Sequence, residues 1–281
     1  MSTALRIAHG AFGRVALLDM DRSLVRHAHP HCHVLLKVEG ADTQFLVGDR
    51  VYPLTDTSAV LVDGWKPHAY VHDPARSRTL ILALYIEPQW LKEFRPGWAA
   101  SGAPGFFEQP SGEVSPRIRH LTMQLTTEMM ARPDCVRSHE QTLSDLMIAV
   151  IERFTPWRNF PSSVRGMNAM TCDWRIRRVV EAMRAQEDGD CPNVDEYVKT
   201  AGLSRAQFFR LFESSLGVSP KIYLNVVRME RALDAVIHQD ISVADLSDRF
   251  GFPEPAHFTR FFRDHAGVSP REFRNVSRLA G

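Results

Sequence analysis

Cysteine is scarce in this chain. Cys32, Cys135, Cys172 and Cys191 are the only four in 281 residues, and no two stand at CxxC spacing. That excludes a disulfide framework and a zinc knuckle, so the four read as reduced thiols. Long apolar runs are lacking too: the longest aliphatic stretch, Leu80 to Ile86, falls far short of the ~20 residues that span a bilayer. No basic-then-apolar leader follows Met1. The expectation is a cytoplasmic protein with no membrane partner. Charge of one sign is also missing, with 34 Lys+Arg against 33 Asp+Glu. Even from Met170 onward 16 basic residues meet 16 acidic ones, and only Arg260 to Arg278 shows a surplus, five arginines against Asp264 and Glu272. A diffuse basic field is thereby excluded. Any contact with phosphate has to come from a few placed arginines and helix N-termini, with a shallower salt dependence than a strongly basic binder shows. Finally, no Ser/His/Asp or Cys/His constellation is legible, which leaves nucleophilic catalysis without candidates.

What the chain does contain is a repeat. Gly217-Val218-Ser219-Pro220 returns as Gly267-Val268-Ser269-Pro270, and the stretches before them stay in step. The first copy runs through Val194-Asp195-Glu196-Tyr197, Gly202, Phe208, Arg210 and Phe212. The second runs through Val243-Ala244-Asp245-Leu246, Gly251, Phe258, Arg260 and Phe262. A match at this many positions is an internal duplication. Each copy reads as helix, turn and helix, at about 194–216 and 243–266. Asn193 with Glu196, and Ser242 with Asp245, pair as N-caps of the first helix. Gly202 and Gly251 supply the turn. Ser204 with Gln207 starts the second helix of copy one, and Pro253 and Pro255 start that of copy two. Gly217 and Gly267 end it. The unit is a helix-turn-helix, twice.

On the second helices, Phe208, Leu211 and Phe212 share one face, as do Phe258, Phe261 and Phe262, and these faces should be buried. Ala206, Arg210 and Glu213 point the other way in copy one, with Phe209 on the flank. Ala256, Arg260 and Arg263 do so in copy two, with Thr259 on the flank. A small residue followed one turn later by arginine suits a helix entering a major groove, because nothing blocks approach and a bidentate donor for guanine is supplied. A solvated arginine on an ordinary amphipathic helix explains one copy equally well. It explains the repetition less well. Between the copies, Pro220 to His238 has no interior proline or glycine and should form one helix, with Ile222, Tyr223, Val226, Val227, Met229, Leu233, Val236 and Ile237 available for burial. At 1.5 Å per residue it is about 28 Å long, near the roughly 34 Å between successive major-groove faces.

The stretch from Trp174 to Asn275 resembles the DNA-binding domain of the AraC/XylS transcription regulators. The residues that carry the resemblance are Gly251-Phe252, Phe258, Arg260, Phe262, Gly267, Ser269-Pro270 and Arg274. Pro253 stands where the family usually has a capping polar residue, and Val198 and Ser247 where it favours alanine. The resemblance implies that the two recognition helices enter adjacent major-groove segments, which by position places Arg205, Ala206, Phe209 and Arg210, then Pro255, Ala256, Thr259 and Arg260, at the DNA. It also implies promoter DNA and a small-molecule effector as partners, with a homodimer and, for an activator, RNA polymerase as further ones.

Residues 1–95 read as a β domain. Short apolar runs at Val34–Val38, Thr43–Val47, Ala59–Val62 and Thr79–Ile86 are punctuated by Gly40, Gly48, Pro53, Gly64 and Pro67, which suggests a small antiparallel barrel or jelly roll. The stretch from His29 to His33, with Gly40, Gly48, Pro53 and Trp65 to His68, is similar to the cupin-type sensor domain found N-terminal in AraC/XylS regulators. His27, His29, His31 and His33 alternate, so on an extended strand they would line one face. Three imidazoles converging with His68 would suit a divalent metal, with His29, His31, His33 and His68 as candidates. Cupin metal sites usually add a glutamate four or five residues after the H-x-H pair, where this chain has Lys37 and Val38. Without that carboxylate a metal is not the favoured reading. The plainer one is a set of pocket or surface histidines, with His31, His33, Trp65, His68 and Tyr70 around a small effector, and a third is histidines that satisfy strand ends. No cofactor is otherwise implied.

Residues 96–157 should add two helices after a loop-rich stretch from Glu87 to Pro116. The stripe Leu143, Leu146, Met147, Val150, Ile151 and Phe154 suits a dimer seam and packing on the barrel about equally. Residues 158–172 read as a linker and 173–281 as the DNA-binding domain. The fold expected is therefore two-domain: a cupin-like antiparallel β-barrel with following helices, then an all-α double helix-turn-helix. The favoured function is an effector-responsive, sequence-specific transcription regulator, an activator like most relatives, and not an enzyme. The rival is a metal-dependent cupin enzyme fused to a DNA-binding module.

Overall fold

The computed structural model describes residues 2–156, 173–185 and 193–278. They fall into two compact units, 1–164 with 272–281, and 165–271. The expected linker, and with it Cys172 and Cys191, lies outside the described residues.

The first unit holds two antiparallel sheets. Strands β1 (Thr3–Gly10), β2 (Gly13–Met20), β3 (Cys32–Gly40), β6 (Ser58–Val62), β8 (Thr79–Ile86) and β9 (Ser111–Glu113) form the larger, in the order β1-β2-β8-β3-β6-β9. The smaller is β5-β4-β7, from β4 (Thr43–Val47), β5 (Arg50–Leu54) and β7 (His68–Val71). The central strands β3 and β8 are buried on both faces, which is why they read as continuous apolar runs instead of alternating. Their two faces do different work, because successive side chains point to opposite sides. Cys32, Val34, Leu36, Leu82, Leu84 and Ile86 share one core with Leu121, Leu125, Leu143, Met147 and Val150 of two helices, α2 (Pro116–Ala131) and α3 (Val136–Phe154). The other face carries His33, which pairs in register with Tyr85 of β8 and Val62 of β6.

Two segments depart from expectation. The stretch from Glu87 to Pro116 carries a helix, α1 (Pro88–Phe94), a 3₁₀ turn (Pro96–Gly102) and strand β9, which extends the sheet by pairing with β6. Trp90, Leu91 and Trp98 enter the core from it, so apolar anchors override the prolines and glycines that read as loop. The stripe on α3 is resolved in favour of packing on the sheet. Leu143, Leu146, Met147, Val150 and Ile151 are fully buried there, and a dimer would need another surface.

The second unit is helical: α4 (Trp174–Ala185), α5 (Val194–Ala201), α6 (Arg205–Leu216), α7 (Pro220–His238), α8 (Val243–Arg249) and α9 (Pro255–Ala266). A last helix, α10 (Pro270–Arg278), follows, and from Glu272 on it groups with the first unit. The caps read from the sequence are in place. Asn193 Oδ1 accepts from the Asp195 and Glu196 N–H groups at 2.8 and 3.2 Å, and Ser242 Oγ accepts from that of Asp245 at 3.0 Å. Gly202, Gly217 and Gly267 adopt the left-handed φ that terminates a helix, a conformation open to glycine at little cost. Helix α7 is unbroken from Pro220 to His238 and packs against α4, α6 and α9. Of the residues expected inside, Tyr223, Val226, Met229, Leu233 and Val236 are buried, while Ile222, Val227 and Ile237 are half-buried, and the Arg184 Nε–H donates to the Tyr223 hydroxyl at 2.8 Å.

Candidate nucleic-acid interface and histidine cluster

Helices α6 and α9 repeat each other in burial. Phe208 and Phe212 are fully buried, as are Phe258 and Phe262 at the matching positions. Leu211 and Phe261, expected inside with them, are half-buried, one step off the centre of each apolar face. Arg205, Ala206 and Arg210 are exposed on α6, and Pro255, Ala256 and Arg260 on α9. Phe209 and Thr259 sit half-buried on the flanks, and Arg263 is half-buried where α6 has the exposed Glu213.

The start of each helix differs. Ser204 Oγ accepts from the Gln207 N–H at 3.3 Å, and the Gln207 side chain returns a bond to the Ser204 N–H at 3.2 Å. This closed pair fixes where the first turn of α6 begins. Helix α9 starts on Glu254, whose side chain makes no capping bond, and relies on Pro255. The Arg205 guanidinium pairs with Asp195 of α5 and lies over the Phe209 ring, 5.1 Å from its centre. Two contacts thus hold Arg205 against its own unit, whereas Arg210 and Arg260 extend from theirs.

Residues 197–275 match a family model described as a helix-turn-helix domain. Over 237 residues the chain is 34% identical to the HTH-type transcriptional activator RhaS of Escherichia coli, covering 82% of this chain and 81% of that one. The chain belongs to the AraC/XylS family of transcription regulators. Its match to the lactose operon transcription activator of Staphylococcus xylosus is local, 33% identical over 66 residues and 24% of each chain. Among solved structures, the AraC/XylS-type chain shares its two-domain fold with apo ToxT of Vibrio cholerae, at a TM-score of 0.57 and 12% identity over 96% of this chain and 99% of that one. ToxT with an unsaturated fatty acid bound gives a TM-score of 0.54 at 11% identity, over 95% and 96%.

The first unit of this family member brings four histidines together. His27 bridges to His68 of β7 through paired main-chain bonds, His27 N–H to His68 O at 2.9 Å and the reverse at 2.8 Å. Ring centres lie 4.4 Å apart for His27 and His68, 4.8 Å for His29 and His68, 4.9 Å for His29 and His33, and 5.3 Å for His33 and His68. All four residues are buried. Burial, and after it the neighbouring imidazoles, hold His29 and His33 well below the usual histidine range, and burial pulls His68 down to about 4. These rings are therefore neutral near pH 7.

The expected set departs from this in two places. His31 is not in the cluster: its Nε2 lies 2.8 Å from Glu87 Oε1, a contact that holds the Glu87 carboxyl below its ordinary value. His27 takes its place. The alternation that suggested one shared face stops short because β3 begins only at Cys32, and Pro30 and His31 before it lie in a bend. Of the remaining pocket candidates, Tyr70 packs its ring on Phe45 at 5.2 Å and takes a hydrogen bond from Thr43. Trp65 holds a left-handed φ of 65° while its N–H donates to the His29 carbonyl at 2.8 Å. A non-glycine residue in that region is strained and needs such a contact to persist. Lys37, standing where a carboxylate was looked for, sends its Nζ to Asp42 and Asp56 at 2.7 and 3.2 Å.

Proposed function

We propose that this protein is a sequence-specific regulator of transcription, an activator, that reads two adjacent major-groove segments with α6 and α9 and answers to a small molecule bound by its first unit. The observation that carries the DNA half is the in-register repeat of a small residue and an exposed arginine, Ala206 with Arg210 and Ala256 with Arg260, on helices joined by the unbroken α7. Each arginine is a fork donor for a guanine edge, and the alanine leaves room for it to reach. Family membership and the named activity of the relatives point the same way.

For the effector, the first unit offers a partly open cleft of about 380 Å³ lined by Asp42, Thr43, Gln44, Val71, Asp73 and Arg76 among others. That size accepts a small molecule, and two aspartates with an arginine suit a polar one. ToxT accepts an unsaturated fatty acid on the same fold, which supports ligand response without naming this chain's ligand. An effector that favours one arrangement of the units shifts DNA occupancy by its difference in affinity for the arrangements. A homodimer would add a second pair of reading helices, and activation would place RNA polymerase beside the bound protein.

The test is selection of bound sequences from random duplexes by the full chain. Two conserved segments about one helical turn, roughly 10 base pairs, apart are expected. A single conserved segment, or none, sinks the two-helix reading.

A further inference from the structure

The four clustered histidines share one polar arrangement. Nδ1 of His27 lies 2.8 Å from the Val25 carbonyl, Nδ1 of His29 lies 3.1 Å from that of His31, Nδ1 of His33 lies 3.0 Å from that of Leu84, and Nδ1 of His68 lies 2.9 Å from that of Lys66. A carbonyl only accepts, so in every case Nδ1 carries the hydrogen. With Nδ1 so engaged, the neutral form of each ring has its lone pair on Nε2. His27, His29 and His68 bring such nitrogens closest together, and the His33 ring lies beside them, 4.9 and 5.3 Å from the ring centres of His29 and His68. Nε2 of His29 and Nε2 of His68 are both buried with no hydrogen-bond partner. Burying an acceptor unmet costs free energy, and the fold accepts that cost twice within a few ångströms.

The spacing matches what an ion requires. One ring nitrogen each from His27, His29 and His68 lies within 4.8 Å of the others. A tetrahedral metal with nitrogen ligands at about 2.0–2.1 Å sets those nitrogens about 3.4 Å apart and the ring centres behind them about 5 Å apart. The centre-to-centre distances, from 4.4 Å for His27 and His68 to 6.1 Å for His27 and His29, bracket that value. The Nδ1–H bonds to carbonyls are also the second shell that orients metal-bound imidazole and sets its tautomer.

We propose that His27, His29 and His68, with His33 as fourth donor, bind one divalent transition metal ion of the zinc type in an all-imidazole tetrahedral site. Four protein ligands close the coordination sphere, which marks a structural or signalling ion. A catalytic ion keeps a position open for water or substrate, so this donor set argues against the cupin-enzyme reading. Among the described residues no carboxylate joins the set, and an all-imidazole site disfavours calcium and magnesium. His31 stays outside the set, because its Nε2 is engaged by Glu87 and only its main-chain carbonyl supports His29.

The full chain is stripped with a chelator, dialysed and titrated with cobalt(II). The expected result is one cobalt per chain, the intense visible absorption of a tetrahedral ion, and a rise in Tm over the stripped protein. His68→Gln and His29→Gln should each lower cobalt affinity by more than the roughly 10–100-fold that second-shell changes cost. His33→Gln should keep a bound ion with an altered spectrum, and His31→Gln, which leaves its carbonyl in place, should match the wild type. Circular dichroism and Tm of each variant in chelator separate loss of the ion from loss of the fold. Stripped wild type that is folded but takes up no stoichiometric cobalt and shows no Tm shift overturns the proposal. So does a weak octahedral spectrum unaffected by His68→Gln, or an equal loss in His31→Gln. None of these outcomes bears on how α6 and α9 read DNA.

Discussion

The two helix-turn-helix units share one apolar plan, a capped first helix and one exposed arginine, and differ in the polar residues around them. Phe208 and Phe212 are matched by Phe258 and Phe262, all fully buried, and Gly217 by Gly267 in the same left-handed cap. Around that plan, Arg205 faces Pro255, Glu213 faces Arg263, and Ser215 faces His265. Helix α6 is started by a reciprocal capping pair, and α9 by a proline without side-chain capping. The buried face decides whether the unit folds, since its side chains fill a packed interior. The exposed face is not needed to fill that interior and is left to diverge, so two copies of one fold come to offer different edges to DNA.

Core truncation probes the shared plan hardest. Phe208→Ala and Phe258→Ala should each cost about 3–5 kcal/mol in denaturant unfolding, and a cost under about 1 kcal/mol for either would show that the copies are not equivalent inside. Next come the reading residues. Arg210→Ala and Arg260→Ala should each lose about 1–3 kcal/mol of binding, at different base positions. If both weaken every sequence alike, they touch phosphate and the copies do not read separately. Capping separates the units on a smaller scale. Ser204→Ala should cost about 1 kcal/mol of stability, while Glu254→Ala, which removes no capping bond, should cost little, and equal costs would erase the contrast.

The smallest effect is in pH. Burial holds His265 below the ordinary histidine range, against the opposing influence of its bond to the Phe261 carbonyl. The unfolded chain therefore binds a proton at higher pH than the folded one. The stability of the second copy is greatest above about pH 6.5 and falls as acid is added, through the lowered folded value. His265→Ser, which copies Ser215 of the first unit, should flatten this slope in Tm against pH. An unchanged slope would assign the acid sensitivity elsewhere.

Legibility in the sequence followed the range of the interactions. The bounds of α7, the capping pairs Asn193–Glu196, Ser204–Gln207 and Ser242–Asp245, and the buried phenylalanines depend on neighbours within about a turn, and all were readable. Strand β9 has three residues, too few for a period, and exists because β6 offers an edge to it. The loop-like stretch after Glu87 was misread for a related reason, since Trp90, Leu91 and Trp98 order it only by meeting a core made elsewhere. Leu211 and Phe261 fit the apolar face by spacing, yet how far each is covered depends on what packs against it.

The histidines show where local reasoning ends. Spacing put His27, His29, His31 and His33 on one face and the cupin resemblance added His68, whereas the fold gathers His27, His29, His33 and His68 and leaves His31 out. Glu87 at the end of β8 captures His31, while the bridge to β7 carries His27 inward. The duplication, the caps and the continuous α7 were determined by the sequence itself, because each is a contact between residues a few positions apart. Which imidazoles meet, and which helix stripe the sheet covers, was decided only in the folded chain. Those outcomes depend on the register of strands dozens of residues apart, and no local pattern encodes that register.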